Sequence, residues 1–281
     1  MWFLYNIPHF MTTYNNVLWD SFFLIYRLYD CISMSVVMLT PTYNRAFTQA
    51  FSTLCMQRQT VKCTWIIIDN SDSPEQGWTP PALENVIFIR IPERKSVGAL
   101  RNLLLDEAMK LNPAYVGFWD DDDYYVPKRI ENSIRALTLH PLKDIVGCSI
   151  MNVFLTRENV LTEVGPYSEN SSTAATFFMR AHVCSGRRFA DVSKSEEPSF
   201  LRDFTLPMIS LPSRDVLLVI GHSANTCDKS VIFTNPRRFG ATIKNTSNAK
   251  NIVRFQWMDS DTWDVFTRTF QGALGSPPTP S

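Results

Sequence analysis

Tyr115-Val116-Gly117-Phe118-Trp119-Asp120-Asp121-Asp122-Asp123-Tyr124-Tyr125-Val126-Pro127 is the stretch whose reading decides the fold. Its apolar start is too short for a helix and reads as a buried strand running straight into four carboxylates. Adjacent acids repel one another, so a folded chain that gathers four of them sets a cation against them. Hard divalent ions such as Mg2+ or Mn2+ take carboxylate and phosphate oxygens. The end of a buried strand in an α/β sheet is also where such folds bind ligands. A solvated acidic turn is the plainer alternative. The apolar run before the acids, and the aromatics and proline after them, argue for a metal–phosphate site instead.

Working outward, two more runs share this form. Ser35 to Leu39 ends in Thr40-Pro41-Thr42-Tyr43-Asn44-Arg45, and Trp65-Ile66-Ile67-Ile68 ends in Asp69-Asn70-Ser71-Asp72. The second of these is fully apolar, as in a strand covered on both faces. A third strand is expected at Val86 to Ile91, with helical spacing over residues 46–58 and a helix from Gly98 to Met109. Strand and helix in this alternation predict an α/β domain with a largely parallel sheet and a nucleotide at the C-terminal strand ends. Beyond it, the pattern predicts a helix from Lys128 to Leu139 and strands at Asp144 to Phe154, Ala174 to Arg180 and Val216 to Ile220. Hairpin and loop are expected between Glu158 and Ser172, and a last helix from Ser260 to Phe270. Ser195-Glu196-Glu197-Pro198 opens a helix, with Ser195 as N-cap and acids in the first turn.

Composition narrows the function. Lys and Arg together number 27, as do Asp and Glu, so the chain lacks the basic footprint of a nucleic-acid binder. Cys31, Cys55, Cys63, Cys148, Cys184 and Cys227 show no zinc-like spacing and read as scattered thiols of a reducing compartment. Residues 1–34 are apolar and aromatic, but Asn15, Asn16, Asp20, Arg27 and Asp30 interrupt them short of the ~18–20 residues that cross a bilayer. They read as an extension of unassigned role, with peripheral membrane contact open to it. Residues 35–271 are expected to form a single domain, split into a nucleotide-binding half (35–130) and an acceptor-binding half (131–271). Residues 272–281 are expected to be a flexible tail.

In order and spacing, these stretches resemble the GT-A-fold glycosyltransferases, family-2-like among them. The matching residues are Thr40-Pro41-Thr42-Tyr43-Asn44-Arg45, Asp69, and Trp119 to Pro127; they are joined by Glu196-Glu197 with Phe200-Leu201 and by His222 to Lys229. The last two segments look like versions found in large DNA viruses, which implies a cytoplasmic setting. The resemblance implies a Rossmann-like GT-A architecture and a nucleotide-sugar donor, most often a UDP-sugar. It implies a glycan or other hydroxyl acceptor, Mn2+ or Mg2+, and an inverting displacement. Thr40, Tyr43 and Asn44, flanked by Pro41 and Arg45, would hold base and ribose, and Asp69 would bond the base edge. Asp122 would bind the metal and Asp120 the ribose or the metal shell. A slip of register would bring in Asp121 and Asp123, and the spacing to Pro127 favours 120 and 122. Lys95 and Arg101 would clamp the diphosphate, and His222 would be a further metal ligand. Glu197 would be the base, with Glu196 as the alternative.

Two other readings compete. A sugar-1-phosphate nucleotidyltransferase would place a glycine-rich, basic loop after the first strand, and Thr40 to Arg45 contains no glycine. A non-catalytic nucleotide-sugar-binding protein would bind donor and metal without turnover.

Overall fold

The computed structural model describes residues 35–226, 228, 229, 231, 232, 235, 242–244 (backbone) and 249–270. The 1–34 extension and the 272–281 tail lie outside them. In chain order the strands and helices of the first half are β1 (Val36–Thr42), α1 (Gln49–Gln57), β2 (Thr64–Asp69), β3 (Val86–Arg90), α2 (Val97–Met109), β4 (Tyr115–Phe118), β5 (Tyr124–Tyr125) and α3 (Arg129–Leu139). They continue with β6 (Ile145–Gly147), β7 (Met151–Leu155), β8 (Val160–Val164), β9 (Phe178–Arg180), α4 (Glu197–Phe200), β10 (Met208–Ser210), β11 (Leu217–Gly221), β12 (Thr242–Lys244), α5 (Ala249–Gln256) and α6 (Ser260–Thr269).

Seven strands form one sheet in the order β10-β6-β9-β4-β1-β2-β3. The pairs β1–β2, β1–β4 and β2–β3 are parallel, so Thr42, Asp69 and Phe118 end at the same edge. Only β9 runs antiparallel, against both β4 and β6. The expected mostly parallel sheet is therefore present, with helices flanking it. Val36 to Leu39 and Trp65 to Ile68 are all buried, and each large apolar side chain so removed from water contributes ~1.5–3 kcal/mol. Ser96 caps α2 by accepting the Ala99 N–H at 3.1 Å.

A second sheet, in the order β12-β8-β7-β11-β5, was not expected as a separate sheet. The run from Asp144 to Phe154 is two strands rather than one. β6 joins the large sheet and β7 the small one, and the bend at Cys148 is held by the Ser172 hydroxyl, which accepts the Cys148 N–H at 3.0 Å. Ala174 to Arg180 is a 3-10 turn followed by a short strand. Ser195 is no N-cap: it adopts φ 57°, and α4 starts after Glu196 with no side-chain cap. The acid stretch is the link between sheets, since β4 lies in the large sheet and β5 pairs with β11 in the small one. Trp119 anchors that link, stacked on Tyr125 at 4.0 Å and donating its indole N–H to Ser52. Cys55, Cys63, Cys148 and Cys184 are free thiols. No helix among the described residues is long and apolar enough to cross a membrane.

Candidate active site

A cavity of about 300 Å³ opens at the C-terminal edge of the parallel strands. Pro41, Thr42, Tyr43 and Arg45 line it from the loop after β1, and Asp120 to Asp123 from the link after β4. Arg101 of α2, Glu196 and Glu197 line it from another side, as do Asn225, Thr226 and Lys229 after β11.

Each of the four aspartates has its own partner. Asp121 accepts hydrogen bonds from Thr42 Oγ1 and Arg45 Nη1, both at 2.5 Å. Asp122 Oδ2 lies 2.9 Å from Arg45 Nη1, 2.9 Å from Asn225 Nδ2 and 3.1 Å from His222 Nε2. Asp123 accepts the Ile220 N–H at 2.9 Å and lies 3.9 Å from Lys229 Nζ. Asp120, the most exposed of the four, meets Arg101 Nη2 at 3.1 Å. Burial pushes the Asp121 carboxyl up to about 6 against the pull of Arg45. It pushes Asp123 up to about 7, opposed by Lys229 and assisted by the charges of Asp122 and Asp120. Burial works on Asp122 in the same direction, but Arg45, the His222 hydrogen bond and Lys229 together hold it well below the usual carboxylate range. Of the three buried acids, Asp122 is thus the one whose surroundings favour its charge.

Among the described residues no three His, Cys, Asp or Glu side chains form a metal cage. The donor set still suits Mg2+ or Mn2+, which bind through one or two carboxylates and take other oxygens from phosphate and water. His222 has a different place from a free ligand. Its Nδ1 accepts the Ala224 N–H at 3.2 Å, which leaves Nε2 to donate toward Asp122 Oδ2, 3.1 Å away. In this tautomer His222 orients Asp122; it ligates through Nε2 only if both bonds are given up.

Across the cavity, Arg101 is buried and bridges Asp120 to Glu196, its Nε lying 3.0 Å from Glu196 Oε1. Glu197 has a looser hold. Its Oε1 accepts the Ala174 N–H at 3.2 Å, and burial, reinforced by the charge of Glu196, raises its carboxyl above the ordinary glutamate value. A carboxylate that is partly desolvated, held by no cation of its own and lining the cavity is equipped to take a proton.

Four residues expected at the nucleotide do not line the cavity. Thr40 is fully buried, accepting from Trp65 Nε1 at 2.8 Å and donating to Trp119 O at 2.7 Å, so its hydroxyl builds the floor. Asn44 exchanges hydrogen bonds with Asp72 and clamps two loops together. Asp69 is fully buried, and its Oδ1 accepts from the Ser71 N–H and hydroxyl. Arg90 Nη2 donates to Trp78 O and stands 2.7 Å from Asp69 Oδ2 outside hydrogen-bond geometry, so that pairing is by charge alone. Lys95 is off the cavity wall, where its neighbour Arg94 stands instead, stacked over Tyr43 at 3.5 Å. Thr42, Arg94, Asn225 and Lys229 also line the cavity, and no role was expected of them one by one, although Thr42 lies in the Thr40 to Arg45 loop and Asn225 and Lys229 in the His222 to Lys229 segment that carry the resemblance, and Arg94 in a basic run with Lys95.

The family model described as glycosyl transferase family 2 matches residues 36–194. No curated protein matches the chain. Among solved structures, the mannosyltransferase PcManGT from Pyrobaculum calidifontis, in complex with GDP-Man and Mn2+, superposes with TM-score 0.52 at 12% identity over 87% of this chain and 77% of its own. TarS 1-349 of S. aureus, in complex with UDP, gives TM-score 0.50 at 13% identity over 86% and 83%. A longer TarS structure is matched over 84% of this chain and 44% of its own length, at TM-score 0.46 and 14% identity, so this chain spans less than half of it. At such identities the likeness is one of fold, and the fold is GT-A.

Proposed function

Because the chain belongs to glycosyl transferase family 2, a family of enzymes, we propose that it moves a sugar from a nucleoside diphosphate, UDP first among the donors, to a hydroxyl of a glycan or other acceptor, with inversion. The observation that carries this reading is the opposition of two kinds of carboxylate across one cavity. Asp120 and Asp122 stand on one wall and Glu197 on the other, with Arg101 spanning them through Glu196. Two structural neighbours captured with UDP, or with GDP-Man and Mn2+, support a nucleotide-sugar and a divalent ion.

In this reading Asp122 would hold the ion, Asp120 would serve the ribose or the metal shell, and His222 and Asn225 keep Asp122 aimed. When bound, the ion neutralises charge building on the departing nucleoside diphosphate. Tyr43 and Arg94 offer a stacked face at the cavity rim for a base. Glu197 takes the proton of the acceptor hydroxyl as its oxygen bonds to the anomeric carbon from the side opposite the diphosphate. The bond from that carbon to the diphosphate oxygen breaks, and the nucleoside diphosphate leaves. Glu196, neutralised by Arg101, is less suited to the task.

Isothermal titration with UDP-, GDP- and dTDP-sugars, with and without Mn2+, tests the reading. The expected result is metal-dependent binding of one donor, weakened at least tenfold in Asp122→Ala. Failure of every nucleotide-sugar to bind the intact chain would remove the proposal.

A further inference from the structure

Arg129, the first residue of α3, is a cation in the wrong place for a structural residue. It is fully buried, and the hydrogen bonds it makes run from Nη2 to two backbone carbonyls, those of Phe118 and Ala175. Its Nε and Nη1 have no partner. No carboxylate among the described residues pairs with it; its charge lies over the rings of Tyr125, at 4.2 Å, and Trp119, at 5.4 Å. A buried guanidinium without a carboxylate is costly, and a methionine or leucine would fill the same space more cheaply. The cost calls for a role.

The two carbonyls indicate that role. Phe118 ends β4, two residues before Asp120. Ala175 follows the residue whose N–H holds Glu197 Oε1 at 3.2 Å. Tyr125 makes the same connection again. Its hydroxyl accepts the Asp120 N–H at 2.7 Å and donates to Ala175 O at 3.3 Å. Arg129 and Tyr125 thus meet at one carbonyl, and between them they tie the carboxylate link on one wall to the anchor of Glu197 on the other. Neither lines the cavity. Resting on the family-2 reading of the site, we propose that Arg129, acting with Tyr125, is a positioning residue that sets the gap between Asp120 and Glu197. That gap is where donor and acceptor must be brought into line, and a misplacement of about 1 Å in such geometry costs on the order of 10²-fold in rate.

The test uses the full chain with Arg129→Lys and Tyr125→Phe. The first keeps the charge but loses the planar fork that reaches two carbonyls; the second removes one oxygen. Each is expected to lower kcat 10- to 100-fold while donor KM stays within about twofold. The combined variant should be no slower than the slower single one, as residues acting through one carbonyl are not additive. Amide hydrogen exchange gives a second readout. Asp120 and Ala174 to Phe177 should lose protection together, with Ile66 to Ile68 unchanged. Unchanged kcat, a rise in KM matching the loss of rate, multiplicative effects, or protection lost evenly through the chain would each overturn the proposal. Should the wild-type chain bind no nucleotide-sugar, the reading of the site fails on that result, and exchange alone decides the Arg129–Tyr125 tie.

Discussion

Glu196 and Glu197 are adjacent and chemically alike, and their surroundings make them different. Arg101 holds Glu196 in a buried ion pair at 3.0 Å, whereas Glu197 is held by backbone N–H groups alone, its own and that of Ala174, in the field of Glu196 and Arg101 and near Tyr167. A base must be charged to act, and burial raises the carboxyl of Glu197. The acid limb of kcat/KM is therefore expected above the ordinary glutamate value of about 4.3, with activity rising as pH rises through it. Glu197→Gln should cost roughly 10²–10⁴-fold in kcat and abolish that limb, with donor affinity retained. A variant with wild-type turnover would transfer the role to another group. The acids of this site were legible in the sequence because runs of carboxylates stand out. The burial of Thr40 and Asp69 was not, since each hydroxyl or carboxyl is occupied by a residue placed by the fold: Trp65 and Trp119 for Thr40, Ser71 and Arg90 for Asp69.

At the scale of elements, the parallel strands were readable because burial on both faces leaves an unbroken apolar run, as in Trp65 to Ile68. The division between sheets was not. An apolar run from Asp144 to Phe154 has the same composition whether it forms one strand or two, and the bend at Cys148 depends on Ser172, 24 residues away. The start of α2 shows the opposite case, a glycine in the sequence with a reason visible only in three dimensions. A Cβ at Gly98 would sit 1.8 Å from Ala190 O, and the Gly98 N–H donates to Val192 O at 3.0 Å. Here the helix lies directly against the segment leading to Glu196. Alanine favours a helix in isolation by ~1 kcal/mol over glycine, yet the backbone it would strike has no flexible end to move aside. Gly98→Ala is therefore expected to destabilise the chain, by roughly 1–3 kcal/mol in urea unfolding. A neutral or stabilising result would mean that the 190–192 segment yields freely.

The whole molecule places its chemistry at a junction. Asp120 to Asp123 link the two sheets, Asp123 accepts a hydrogen bond from Ile220 of β11, and Arg45 reaches from the loop after β1 to Ala224 and Thr226 after β11. A ligand filling this cavity touches walls from both sheets, so its binding energy must appear as stability of the assembled whole rather than of one part. At a donor concentration of 100 Kd that gain is about 2.7 kcal/mol, which for a chain of this size is roughly 5–10 °C in Tm. The buried excess of acid at Asp121 to Asp123 adds a condition. Nucleoside diphosphate brings further negative charge, and Arg45 is already shared between Asp121 and Asp122. Donor with Mn2+ should therefore raise Tm in a single transition by far more than the separate effects of donor and ion added together. Asp122→Ala should lose the excess. An equal shift from donor in the presence of a chelator would show that Arg45, Lys229 and Arg101 suffice to hold the diphosphate, and the metal would drop out of the proposed function.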